Sequence, residues 1–131
     1  MRYLTRSFAL GALGRRKEVE QFIGPITVAG IPGVRWVSVW PWQQGYNVPV
    51  HDVQELDDEH YRDLDTFPPL DPEGEDDTSS GRLIGHVEDA AEALELAERA
   101  TGASPHRWAN HGVAGEDYAD FVLTRRGQQQ P

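Results

Sequence analysis

VRWVSVWPWQQGYNVPVHDV, residues 34–53, holds three of the four tryptophans of a 131-residue chain and alternates as two β-strands about a tight turn. Val34, Trp36, Ser38 and Trp40 fall on one face of the first strand, and Arg35, Val37 and Val39 on the other. Both faces carry apolar groups, so this strand is predicted to be central in its sheet. Gln43-Gln44-Gly45 supplies the break, with Gly45 free to take φ > 0, and Tyr46, Val48 and Val50 restart the alternation on a returning strand. Pro49 brings no N–H to a ladder, which puts the returning strand at a sheet edge or gives it a bulge there.

The flanks fill in an α+β domain. Before the hairpin, Val19, Phe22 and Ile23 recur at i, i+3, i+4, and Gly24-Pro25 follows, which predicts a short helix over Arg15–Ile23. Its basic start and acidic middle oppose the helix dipole. Residues 26–33 (ITVAGIPG) read as a short apolar connection, with room for a brief strand. After the hairpin, Tyr61–Phe67 is predicted as a third strand, and 71–81 (DPEGEDDTSSG), without an apolar residue, as a mobile acidic loop. Arg82–Val87 reads as a strand leading into the clearest helix, 89–101. Asp89 is its N-cap with Glu92 three residues on, Ala90, Ala93, Leu94, Ala97 and Ala100 form its apolar face, and Gly102 sits where a C′ glycine belongs. His106–Val113 is predicted as a last strand, Glu116–Leu123 as helical in spacing with a strand as the alternative, and 127–131 as a disordered tail. The expected architecture is one domain, 1–131. Its antiparallel sheet has about four or five strands, with one main helix and a shorter N-terminal helix packed on it.

Charge narrows the partners. The chain carries a net −10 at neutral pH, yet residues 1–35 are basic, with six Arg and Lys against Glu18 and Glu20. Residues 52–77 hold twelve acids against the single Arg62. Such a block repels phosphate backbones and anionic membranes and steers a basic partner toward itself. The absence of cysteine excludes a disulfide scaffold, a thiolate metal site and a cysteine nucleophile. The apolar run Phe8–Leu13 is too short for a secretory signal and is followed by Arg15, Arg16 and Lys17, so a cytoplasmic, unprocessed protein is expected.

No motif of established chemistry stands out. Residues 71–82 alternate acids as an EF-hand does, but the glycine is misplaced and Arg82 occupies the twelfth position. Histidines 51, 60, 86, 106 and 111 include no HExxH pair, the serines lie in no GxSxG or SxxK motif, and phosphate-binding glycine patterns are missing. No cofactor or metal is therefore expected. Trp36 and Trp40 read as a core stripe. Trp42, beside Pro41 in the turn region, reads as an interface anchor.

Three segments, RRKEVEQFIG (15–24), GRLIGHVEDAAEALELAE (81–98) and HRWANHGVAGEDYADF (106–121), together with the tryptophan strand, resemble small acidic α+β immunity proteins of bacterial polymorphic toxin systems. The resemblance implies a protein that neutralises a toxin or nuclease by occluding its basic active site. The leading expectation is accordingly a non-enzymatic, acidic protein-binding module with a basic protein partner. Its contact residues would be Trp42, Asp57, Asp58, Glu59, Asp63 and Asp65. Two readings from other classes stand beside it. One is a small enzyme or ligand-binding domain with an aromatic pocket at Trp36 and Trp40, served by His51 or His111. The other is an acidic DNA mimic or regulatory subunit built on residues 52–77.

Overall fold

The computed structural model describes residues 2–55, 64, 68 and 82–129. Five strands form one antiparallel sheet in the order β4-β3-β2-β1-β5: β1 (Val19–Val28), β2 (Ile31–Trp42), β3 (Gly45–Gln54), β4 (Arg82–Val87) and β5 (Ala109–Asn110). Among the described residues three helices accompany it: α1 (Arg6–Gly14), α2 (Ala90–Thr101) and α3 (Ala114–Gln129). The expected α+β class holds, with three helices among the described residues rather than the two expected. Among the described residues no helix is long and apolar enough to cross a membrane.

β2 is central, as its two apolar faces require. Val37 and Val39 point to one side, where they meet Val19, Val48 and Val50 of neighbouring strands, Ala9, Ala12 and Leu13 of α1, and Ala93, Leu94 and Ala97 of α2. Val34 and Trp36 point to the other side, against Phe22, Val53, Leu64 and the buried Ala114, Tyr118 and Val122 of α3. The sheet is thus covered on both faces. β3 is interior, so Pro49 is accommodated by the other route: the β3–β4 register shifts between Val48 and Pro49.

The helix expected at Arg15–Ile23 is corrected. Val19–Val28 is strand β1, and the N-terminal helix lies earlier, over Arg6–Gly14. Val19 enters the α1/α2 core while Phe22 enters the α3 core, which is strand geometry with a bulge between Phe22 and Gly24. Thr5 caps α1 by accepting a hydrogen bond from the Phe8 N–H at 3.1 Å. Residues 26–33 are no loose connection but the end of a long β1–β2 hairpin. It closes through Ala29 and Gly30, both at positive φ, as a two-residue turn demands. In the β2–β3 turn the positive φ falls on Gln43, not Gly45. Gly45 is needed for another reason: a Cβ there would lie 2.5 Å from the Val87 carbonyl oxygen.

Helix α2 matches its expectation. The Asp89 side chain accepts from the Glu92 N–H at 3.2 Å, and Gly102 closes the helix at φ +78°. The strand expected over His106–Val113 reduces to Ala109–Asn110, after which Gly112 at φ +90° turns the chain into α3. α3 extends well beyond the expected 116–123 and takes in residues 127–129 of the expected tail. The strand expected at Tyr61–Phe67, apart from buried Leu64, and the acidic loop 71–81 lie outside the described residues.

Leu94 is fully buried on the α1/α2 side, whereas Leu123 on α3 is 52% exposed. Leu94→Ala is expected to lower unfolding free energy by about 2–5 kcal/mol, and Leu123→Ala to change it by less than about 0.5 kcal/mol, read from urea denaturation midpoints. Equal effects would mean that α2 does not close this core.

Candidate functional site

Of the six expected contact residues, Trp42 is described; Asp57, Asp58, Glu59, Asp63 and Asp65 lie outside the described residues. Trp42 ends β2 at the tip of the central hairpin and is 48% exposed. Trp40, two residues back on the same face, braces it edge to face with ring centroids 5.4 Å apart. The turn beneath is clamped from α1's C-terminal side. Arg16 donates to the Gln43 carbonyl at 2.7 Å and to the Gly45 carbonyl at 3.4 Å, and its guanidinium sits 5.6 Å from the Tyr46 ring centroid. An aromatic held by a neighbour and a fixed turn loses little freedom on docking.

Further along the same face, the expected core tryptophan Trp36 is 2% exposed and stacks on His51, with centroids 3.8 Å apart and planes 12° from parallel. Antiparallel pairing of Trp36 with His51 sets this contact. His51 Nε2 lies 3.3 Å from the Ser38 hydroxyl, and Asp52 points to the opposite face, where it takes both Arg35 Nε (2.6 Å) and Nη2 (3.0 Å). Ser38, at 1% exposure, is out of reach of a substrate, so the Ser–His contact reads as a polar element of the core. Burial pushes the His51 pKa down to about 4, against a smaller raising effect of Asp52. Among the described residues, Trp36 Nε1 is the one buried side-chain polar atom without a hydrogen-bond partner.

Two other groupings join residues distant in sequence, and the order of residues along the chain signalled neither. The first is a cleft of about 330 Å³ between the β1 bulge and α3, walled by Phe22, Ile23, Pro25 and Phe121. Its polar side centres on Asp117, whose side chain is 3% exposed and receives Arg2 Nη1 at 2.6 Å and the Tyr3 hydroxyl at 2.7 Å. Arg107 Nη2 donates to the same tyrosine oxygen at 3.0 Å, and that bond leads the causes that raise the Arg107 pKa. The second grouping is Glu18, Glu20 and His111, whose donor atoms all lie within 4.8 Å of one another. These are the described side chains with the spacing and chemistry of metal ligands. His106 and His86 stand elsewhere, His86 Nδ1 resting 2.7 Å from Asn47 Oδ1.

No family model, curated protein or solved structure matches the chain, so its function rests on its own residues.

The lowered pKa of His51 makes stability pH-dependent with a definite sign. The unfolded chain, with His near 6.5, binds a proton that the folded chain rejects until about pH 4. The contribution is fully present above pH 6.5 and is lost as pH falls from 6.5 toward 4, by about 3 kcal/mol in all. His51→Phe, which keeps an aromatic against Trp36, is expected to flatten the stability difference between pH 7 and pH 4.5 relative to the parent chain. An unchanged slope in denaturant titrations would show that His51 is not held neutral.

Proposed function

We propose that the chain is a non-enzymatic, acidic protein-binding module of immunity type, which neutralises a basic toxin or nuclease. The observation that carries this reading is Trp42: a half-exposed tryptophan at the tip of the central hairpin, braced by Trp40 and set on a turn clamped by Arg16. Aromatics presented in this way supply a disproportionate share of interface energy. The acids of residues 52–77 supply the long-range attraction that speeds encounter with a cationic partner. Asp57, Asp58, Glu59, Asp63 and Asp65 are proposed, with Trp42, as the contact residues.

A second reading, a small-ligand-binding domain, is favoured by the cleft at Tyr3, Phe22, Arg107, Asp117 and Phe121. Its volume and its pairing of aromatic walls with a few convergent polar groups fit a small amphipathic ligand. It places the ligand away from Trp36, whose ring is covered by His51.

The test starts from the basic protein that copurifies with the chain in its own host at low salt. That protein is then assayed alone for toxicity on expression, and again with the chain co-expressed. Trp42→Ala is expected to weaken the complex at least ten-fold at every salt concentration. The double change Asp57→Lys with Asp58→Lys is expected to slow association and to abolish its salt dependence. A partner that is harmless alone, or binding indifferent to all three substitutions, would overturn the proposal.

A further inference from the structure

Pairing of β1 with β5 runs Val19 opposite Asn110 and Glu20 opposite Ala109. Continued by one residue, this antiparallel register sets Glu18 opposite His111 just beyond the ladder. Glu18 and Glu20 are two apart on an extended chain, so both carboxylates lie on the face that His111 joins. The side chains converge: His111 Nδ1 is 2.7 Å from Glu18 Oε1 and 3.2 Å from Glu20 Oε1.

The arrangement is held from behind. Glu20's side chain is only 4% exposed, and its other oxygen, Oε2, accepts the backbone N–H of Ala114 at 3.0 Å, at the first residue of α3. That bond fixes the carboxylate's rotation and leaves Oε1 turned toward Glu18 and His111, as outer-shell hydrogen bonds orient metal ligands. Gly112 at φ +90° turns the chain directly after His111, so the imidazole's position is set by backbone on both sides. Two carboxylate oxygens and one imidazole nitrogen, all within 4.8 Å of one another, have the spacing of ligands around a single divalent cation.

We propose that Glu18, Glu20 and His111 form a binding site for one divalent transition-metal ion, with Glu18 Oε1, Glu20 Oε1 and His111 Nδ1 as protein ligands. Donor atoms separated by 2.7 Å and 3.2 Å need to open only slightly to surround an ion bonded at about 2.0–2.2 Å to each. Two carboxylates and one imidazole suit Zn²⁺, Mn²⁺ or Fe²⁺ better than Ca²⁺, which takes oxygen ligands throughout. His111 is 57% exposed, so the side of the site away from Glu20 faces solvent and leaves coordination positions for water or a partner's side chain. Bound there, the ion ties the start of β1 to the turn that launches α3.

The test is isothermal titration of the intact chain with ZnCl₂, repeated with MnCl₂, in a non-chelating buffer at pH 7.5, with thermal unfolding followed in parallel. One ion per chain with micromolar or tighter affinity is expected, together with a rise in Tm of a few degrees at saturating Zn²⁺. Because Glu20 also caps α3, the deciding variants are at the more exposed ligands. His111→Ala and Glu18→Gln, each still folded by circular dichroism, are expected to weaken Zn²⁺ binding at least ten-fold and to lose the Tm rise. His86→Ala should leave both intact. Absence of stoichiometric binding would overturn the site. So would binding undiminished by His111→Ala and Glu18→Gln, which would assign the ion to acids elsewhere. A lower metal-free Tm in those variants with no Zn²⁺-dependent difference would reduce the trio to an ion pair.

Discussion

Burial of strand β2 on both of its faces is the constraint from which the remaining architecture follows. Val37 and Val39 on one side and Val34 on the other are fully buried, and Trp36 is nearly so. A sheet with apolar groups on both faces must be covered twice, or it exposes a hydrophobic surface to water. α1 and α2 supply one cover and α3 the other. β2 also needs a neighbour on each edge, which β1 and β3 provide through hairpins with two-residue turns. The same constraint explains His51. Its place opposite Trp36 puts an imidazole on a covered face, where only the neutral ring is tolerated, while Asp52, one residue on, reaches a charged partner in Arg35.

The parts of this fold legible in the sequence were those where local and tertiary signals agree. The 34–53 hairpin shows two-residue alternation, and β2 and β3 follow it. Helix α2 combines a cap, an apolar face and a terminal glycine, and each takes its expected role. The N-terminal third misled because its pattern serves two cores at once. Val19 and Phe22 were read as one helical face, but they are buried on opposite sides of the sheet. The helix-like spacing came from a strand in which Ile23, four residues after Val19, returns to the α1/α2 side by simple alternation. Helix α1 was hidden by Gly11 and Gly14, poor helix formers, and by Phe8, which is 64% exposed and blurs the apolar face. Its Thr5 cap was the one readable mark.

Candidate site groupings were less legible than the fold for a topological reason. β5 lies beside β1 although residues 29–108 separate them in sequence, so clusters along that seam join the N-terminal and C-terminal parts of the protein. Tyr3 with Asp117, Arg2 with Asp120, and Glu20 with Ala114 are all contacts of this kind. Spacing rules detect ligands that share an element, not those brought together across a sheet edge. Trp42 was identifiable because its exposure follows from local facts alone: a strand end, a proline beside it and a turn directly after.

The two faces of the sheet are held by different physics, and this bears on where the molecule can respond to a ligand. The α1/α2 side is mainly apolar, and its buried tryptophan, Trp108, directs its indole N–H to Glu98 at 2.9 Å. α3 buries fewer apolar groups and leans on polar ties: Tyr118 and Arg125 to Glu55, and Asp117 to Arg2 and Tyr3. Apolar contacts are indifferent to charge, whereas ion pairs of partly exposed groups weaken with salt and rearrange when a new charge arrives. The cleft and the Glu18–Glu20–His111 trio both adjoin α3, the cleft through Asp117, Asp120 and Phe121 and the trio through the Glu20 bond to Ala114. A ligand or ion bound there acts on the helix whose attachment depends most on electrostatics, while the hairpin that presents Trp42 stays anchored by the apolar side of the sheet.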